Sequence, residues 1–141
     1  MAVEIAAVQS DAVARFYNEH EREALRTAYG FAVVWHEQVH AFAARDGDRT
    51  VAAVTIRIAA SLAHVERIVV EANRRREGIG RALLAAAAER ANYYNAHKMS
   101  AMVVHRSAAQ RFFEACEYRE EAVLLQHTFK LDIAVLRKFL L

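Results

Sequence analysis

A short basic segment that contains two glycines, NRRREGIGR at residues 73–81, holds the residue types best suited to binding an anion. The chain has only four glycines, and both Gly78 and Gly80 fall here, between an aliphatic stretch ending in IVV and an alanine-rich run. The first N–H groups of a helix have no intrahelical partner and carry partial positive charge, and glycine lets a ligand approach the backbone closely. The segment therefore predicts a phosphate site at a strand-to-helix turn.

Three phosphate-binding patterns were compared with this segment. A Walker A loop ends in Gly-Lys-Ser/Thr, whereas this loop continues as Gly80-Arg81-Ala82. A dinucleotide-binding fingerprint needs a third glycine at the position of Leu83. The pattern Arg/Gln-x-x-Gly-x-Gly/Ala is matched at every fixed position by RREGIG, which begins at Arg75. So short a match also fits a tight turn that binds no ligand. The surrounding elements must therefore distinguish a phosphate-binding loop from such a turn.

Two titratable side chains precede the loop. The strand period of two places His64, Glu66, Ile68 and Val70 on one face of the predicted strand. Partial burial raises the pKa of a carboxyl group toward neutrality, so Glu66, helped by His64, is a candidate general base. The alternative is an exposed polar pair on a half-buried sheet.

Composition limits the class of protein. A chain of 141 residues that is 55% apolar predicts one domain over residues 1–141. With 19 Lys and Arg against 17 Asp and Glu, the chain lacks the one-sided charge of nucleic-acid-binding proteins, so no nucleic-acid partner is expected. A single cysteine, the lack of a signal-peptide pattern and the short apolar runs favour a cytoplasmic protein without a membrane partner. His36 and His40 lack a third ligand of suitable spacing, so no metal is expected.

The elements that must position these residues follow from periodicity and turn signals. Predicted in chain order are a strand at 3–8, a helix within 10–30, two strands around the Asp-Gly turn within 39–59, a strand at 63–70, a helix of about 18 residues after the loop, a strand at 98–105, a short helix within 107–118, one or two strands within 122–133 and an apolar tail. This order predicts an α+β fold of α/β type. Its central sheet is mixed but mostly antiparallel and flanked by helices, with the strand-loop-helix in the middle.

The C-terminal segment LDIAVLRKFLL, residues 131–141, is more apolar than the surface of a small domain usually is. Exposed apolar patches of this kind mark interfaces. We therefore expect the tail to pack against a second copy of the chain in a homodimer.

Two motifs at the right separation resemble those of the GNAT superfamily of acetyl-CoA-dependent N-acyltransferases. In that family an aliphatic strand runs into Val-x-Pro, Arg-x-x-Gly-x-Gly and a long helix, and IVVEANRRREGIGRALL is similar, with Val70 in register. The family's later motif, Asn-x-x-Ala-x-x-Phe-Tyr-x-x-x-Gly-Phe, resembles RSAAQRFFEACEY, where Ala109, Phe112 and Tyr118 fall in step. The resemblance covers most of residues 39–130.

The resemblance implies an N-acetyltransferase that transfers an acetyl or short acyl group from acetyl-CoA to a primary amine of a small molecule or peptide, without a metal. It implies Glu66 and His64 as catalytic residues. It also implies cofactor contacts from the strand end, the loop and the later motif, at Ile68, Val69, Val70, Arg75, Arg76, Glu77, Gly78, Ile79, Gly80, Arg81 and Arg106. Arg106 stands in place of the family's asparagine and Phe113 in place of its tyrosine acid. These departures leave a CoA-binding sensor or interaction module without catalysis as the alternative.

Overall fold

The computed structural model describes residues 2–140, whose contacts divide the chain into two compact units, one ending at Trp35 and the other beginning at His36. In the first unit a 3-10 turn, Ser10–Val13, leads into helix α1, Ala14–Tyr29, which ends as predicted at a glycine. The predicted strand at 3–8 is wrong, because these residues have no regular secondary structure. Within this stretch, Val3 and Ile5 are 86% and 95% exposed.

The second unit is built on a six-stranded sheet with the order β1-β2-β3-β4-β6-β5. The strands are β1, Gln38–Asp46; β2, Arg49–Ala59; β3, Leu62–Val70; β4, Lys98–Val104; β5, Arg119–Thr128; and β6, Leu131–Phe139. The β3–β4 pair is parallel and the other neighbours are antiparallel, which confirms the predicted mixed, mostly antiparallel sheet. A single domain over residues 1–141 stays a prediction.

Two helices of this unit pack against the sheet. Helix α2, Ile79–Tyr93, contacts β1, β2 and β3, and helix α3, Ala108–Ala115, contacts β4 and β6. The core lies between these helices and the sheet and includes the fully buried side chains of Ile56, Met99 and Leu136. We call the face of the sheet from which these residues project the covered face and the other one the opposite face. No helix within residues 2–140 combines the length and apolarity needed to cross a membrane.

The apolar C-terminal segment is not a free tail. Its residues 131–139 form β6, which hydrogen-bonds to β4 on one side and to β5 on the other. Much of its apolar character serves the protein's own core, since Ala134 and Leu136 are completely buried there. Leu131 and Phe139 remain exposed, and packing of this segment against a second copy in a homodimer stays a prediction.

Candidate functional site

Strands β3 and β4 separate along their length. Leu62–His64 pair with Lys98–Ser100, and no further pairing between the two strands is formed within residues 2–140, although both strands continue. The outer edge of β3 beyond His64 therefore faces an opening with unpaired backbone groups. Of the residues predicted to hold the cofactor through their backbone, Val70 directs its N–H toward this edge, whereas Val69 pairs with Ala53 of β2, because neighbouring residues of a strand point their backbone groups to opposite sides.

A cleft of about 450 Å³ borders this edge. Its walls come from the end of β3, the loop that follows and the start of α3, namely Ile68, Val69, Val70, Arg75, Arg76, Ala108, Ala109, Phe112 and Phe113. The structure thus brings the strand and arginine parts of the predicted cofactor set together in one cleft. Arg106 lies outside these walls, in the β4–α3 loop, where its N–H donates to Gln110 Oε1 at 2.7 Å.

Helix α2 starts at the edge of the cleft without a cap. Its N-cap residue is Gly78, with a left-handed φ of 81°, and no side chain accepts a hydrogen bond from the first turn. The first helical hydrogen bond runs from Ala82 N to Gly78 O at 3.0 Å. The N–H groups of residues 79–81 precede that bond, so the positive end of the helix is open to an anion.

The three consecutive arginines have different roles. Arg74 contacts Asp46 Oδ2 at 2.9 Å and Glu77 Oε2 at 3.0 Å, so its charge is neutralised within the loop. Arg75 and Arg76 line the cleft, and neither has a carboxylate within 4.0 Å in the part of the chain that the structure describes. Two positive charges therefore remain for a ligand beside the start of α2. Glu77, predicted as a cofactor contact, instead pairs with Arg74.

Gly80 and Arg81 connect α2 to α3. A Cβ atom at Gly80 would lie 2.9 Å from the ring of Phe112, and Arg81 Nη2 donates to Ala115 O at 2.8 Å. Ile79 packs against the core. The side chains of Ile79 and Arg81 thus make contacts within the protein, and Gly80 has no side chain. Ligand binding in this turn is therefore left to the backbone.

The valine variant Gly80→Val is expected to lower the melting temperature of the unliganded protein, because the Phe112 ring must move. Overpacking of this kind typically costs about 1–3 kcal/mol. Phe112→Leu in the same chain should recover part of that loss, since the smaller side chain leaves room for the valine. A double-mutant cycle measured by chemical denaturation checks the coupling. Strictly additive effects of the two substitutions would contradict the contact.

The prediction that His64, Glu66, Ile68 and Val70 share a face is wrong. The register between β2 and β3 shifts beside Glu66, because Ile56 pairs with Val65 whereas Thr55 pairs with Arg67. A bulge of this kind interrupts the period of two. Consequently Val65 before it and Ile68 and Val70 after it all pack toward the core, whereas His64 and Glu66 belong to the opposite face.

The expected rise in the pKa of Glu66 is also wrong. Glu66 Oε1 accepts a hydrogen bond of 2.6 Å from Arg57 Nε, and the same guanidinium donates to Glu37 Oε1 at 2.6 Å. This hydrogen bond from Arg57 lowers the pKa of Glu66, and with 34% of its side chain exposed, burial does not reverse the effect. An ionised Glu66 is suited to attracting a cation, and less suited to accepting a proton.

His64 occupies the point at which β3 and β4 begin to separate. Its Nδ1 lies 2.9 Å from Ser100 Oγ, and the two residues form the last paired position before the opening. In the tautomer in which Nδ1 donates to Ser100, the Nε2 lone pair is free to accept a proton. Histidine is the side-chain type suited to proton transfer near neutral pH. No local motif pointed to Ser100, because it lies 36 residues from His64 in the chain.

No hydroxyl group in the cleft walls replaces the family's tyrosine acid. Phe113 is 3% exposed and packs against Tyr118 with ring centroids 5.0 Å apart. The Tyr118 hydroxyl is buried and has no hydrogen-bond partner among residues 2–140, and burial raises the pKa of Tyr118 far above its ordinary value. Tyr118 is therefore unsuited to donating a proton in the cleft.

Within residues 2–140 no group of three or more His, Cys, Asp or Glu side chains has the arrangement of a metal site. The expectation of a reaction without a metal stays a prediction.

Comparisons with known proteins agree with this geometry. The family model described as an acetyltransferase (GNAT) domain matches residues 4–126. No curated protein sequence matches significantly. Among solved structures, an acetyltransferase from Bacillus cereus ATCC 14579 is similar with a TM-score of 0.77 at 15% identity, over 98% of both chains.

Two further structures are similar at lower TM-scores. A Bacillus anthracis protein assigned as a streptothricin acetyltransferase, solved with acetyl coenzyme A, has a TM-score of 0.67 at 17% identity over 71% of this chain and 61% of its own. A ribosomal-protein alanine N-acetyltransferase from Escherichia coli has a TM-score of 0.61 at 15% identity, over 95% and 91% of the two chains. At these identities the likeness shows the fold alone.

Proposed function

Because the chain belongs to the GNAT acetyltransferase family, we propose that it is an N-acetyltransferase that moves an acetyl or short acyl group from acetyl-CoA to a primary amine. The observation that carries the proposal is the uncapped start of α2, which lies at one end of a cleft along the unpaired edge of β3. The end of the cleft at the start of α2 suits a pyrophosphate, and the other end, along the edge of β3, approaches His64.

Cofactor binding would rest mainly on the backbone. The N–H groups of residues 79–81 would hold the pyrophosphate of CoA, with Arg75 and Arg76 adding charge-assisted hydrogen bonds. The pantetheine arm would run along the outer edge of β3, where the backbone groups of Ile68 and Val70, which point away from β2, can bond to its amides. One of these N–H groups would also polarise the thioester carbonyl.

Acetyl transfer would then use the residues of the opposite face. The amine nitrogen attacks the thioester carbon, the new C–N bond forms and the C–S bond breaks. His64 Nε2 would accept the proton that the nitrogen loses, while Ser100 fixes the ring. Glu66 would attract the ammonium form of the acceptor. The thiolate would take its proton from solvent, a step that a thiol pKa near 8.5 makes undemanding at neutral pH.

A CoA-binding module without catalysis is the second candidate. The observation in its favour is the absence of an acidic hydroxyl in the cleft walls, since Phe113 has none and Tyr118 is buried away from them. Binding of acetyl-CoA without transfer to any amine would distinguish this candidate from the enzyme.

Acetyl-CoA is expected to raise the melting temperature of the protein by several degrees. A ligand at 100 times its dissociation constant stabilises a fold by about 2.7 kcal/mol, and one kcal/mol shifts the melting temperature of a domain of this size by about 2–8 °C. Differential scanning fluorimetry with acetyl-CoA, CoA and adenosine checks this, because adenosine lacks the pyrophosphate and should give little shift. A shift with adenosine equal to that with CoA would contradict the proposed phosphate site.

A further inference from the structure

Five polar side chains on the opposite face form one continuous row across the sheet. Cross-strand pairing joins them in order from β2 to β5, as Arg57, His64, Ser100, Arg137 and Arg119. The flanking residues confirm the face, since Ala63, Met99 and Leu136 are fully buried on the covered side. The row therefore passes directly through the proposed reaction centre at His64 and Ser100.

At the β2 end of the row, two carboxylates lie near His64. The guanidinium of Arg57 is shared by Glu37 and Glu66, each at 2.6 Å through its Oε1 atom. Arg67, the neighbour of Glu66 along the chain, adds a second positive charge. The Oε2 atoms of the two carboxylates have no hydrogen bond within residues 2–140 and can accept one from an ammonium group.

At the β5 end of the row, two arginines lie side by side in a cavity that is also lined by glutamates. Arg137 and Arg119 stand directly opposite each other, and neither has a carboxylate within 4.0 Å in the described part of the chain. Lys98, on the same face, is already paired with Glu121 at 2.8 Å. Like charges placed opposite each other destabilise a sheet, so an anion between these two arginines would relieve a repulsion.

The guanidinium of Arg137 is held in place from one side. Its Cζ atom lies 4.8 Å from the centroid of the Phe139 ring, an arrangement that favours a cation over the ring face. Such stacking leaves the N–H groups at the edge of the guanidinium free to bind a carboxylate or phosphate. Neighbouring strands are about 4.8 Å apart, which places Arg137 about 10 Å along the sheet from His64.

We propose that the acceptor is an amine that also carries an acidic group, either a carboxylate or a phosphate, at the far end of a short chain. Its amino group lies at His64 and Glu66, and its acidic group lies at Arg137 and Arg119. One end of the row offers carboxylate oxygens and the other offers guanidinium N–H groups, and a molecule with both an ammonium and an acidic group matches them. This inference rests on the proposed acetyl transfer and specifies its substrate class.

The test compares acceptors of equal length that differ only at the far end. With the unmodified protein and saturating acetyl-CoA, kcat/KM is measured for aminohexanoate, aminohexyl phosphate, aminohexanol and diaminohexane. We expect at least one of the two acidic amines to exceed both aminohexanol and diaminohexane by about tenfold or more, as an added hydrogen bond to a charged group predicts. Which acidic amine is preferred identifies the acidic group.

The variant Arg137→Gln should raise KM for the preferred acidic amine about tenfold, with no change in KM for aminohexanol or acetyl-CoA. Arg45→Gln, on the edge strand β1, is the matched control and should change none of these values. Arg137→Lys keeps the positive charge, so it should raise KM for the preferred acidic amine less than Arg137→Gln does. It serves as the test if Arg137→Gln folds poorly.

Faster acetylation of aminohexanol or diaminohexane than of either acidic amine would overturn this inference while leaving the proposed acetyltransferase intact. Failure to acetylate any of the four acceptors, with acetyl-CoA bound, would count against both.

Discussion

Replacement of His64 by alanine is expected to lower kcat for acetyl transfer by about 10²–10³-fold, within the usual range for loss of a general base. The affinity for acetyl-CoA should be unchanged, because His64 is not a wall residue of the cofactor cleft. Steady-state kinetics with the best acceptor, together with a melting shift on addition of acetyl-CoA, measures both quantities. A loss of kcat without a loss of cofactor binding indicates that an interaction made only in the transition state was removed.

Two further variants assign the effect to His64 itself. Ser100→Ala removes the hydrogen bond to His64 Nδ1 but leaves the base in place, so kcat should fall by about tenfold, less than in His64→Ala. His127→Ala, in the exposed strand β5, is the matched histidine control and should leave kcat unchanged. A His64→Ala protein with a kcat within about twofold of the parent value would exclude His64 as the base.

The second large effect is expected for Gly78→Val, which should abolish stabilisation by acetyl-CoA. Apart from its two chain neighbours, no residue within 2–140 has an atom within 4 Å of the position of a Cβ at Gly78, so a side chain there would occupy free space at the start of α2. That space is where the proposed pyrophosphate must approach the backbone. Loss of binding at 100 times the dissociation constant removes about 2.7 kcal/mol of ligand-dependent stabilisation.

Gly47→Val provides a matched control for conformational strain. Gly47 also has a positive φ, 62° against 81° at Gly78, and it too has no atom within 4 Å of its Cβ position. Both variants should therefore lose a similar amount of stability without ligand, about 1 kcal/mol or somewhat more. Only Gly78→Val should lose the response to acetyl-CoA. Equal responses of the two variants would place the cofactor elsewhere.

Local sequence signals predicted the part of the site that the backbone builds. Two glycines, adjacent arginines and the flanking strand and helix patterns were sufficient to locate the turn from β3 to α2 at residues 75–80, since each feature acts within one turn of chain. Binding of an anion at this turn stays a prediction. The Asp-Gly turn likewise located the β1–β2 hairpin at Gly47. The local signal was misleading for the segment at 3–8, which has a strand-like composition but forms no strand.

Long-range pairing determined what the sequence could not predict. The bulge beside Glu66 depends on the register of β2, and it moved His64 and Glu66 to the face opposite Ile68. The lowered pKa of Glu66 depends on Arg57, which lies on the neighbouring strand. The apolar segment at 131–141 was interpreted as an interface because one of its two partner strands, β4, is far from it in the chain and adjacent only in space. Strand register cannot be obtained from composition or periodicity alone.

Transfer of a labelled acetyl group tests the central claim most directly. The protein is incubated with acetyl-CoA carrying carbon-13 in the acetyl group and with the four hexyl acceptors, and the products are identified by mass spectrometry while free thiol is measured. We predict labelled acetyl on the amine nitrogen, with one thiol released for each acetylated amine. Binding of acetyl-CoA with no labelled amine, or thiol release through hydrolysis alone, would contradict the account.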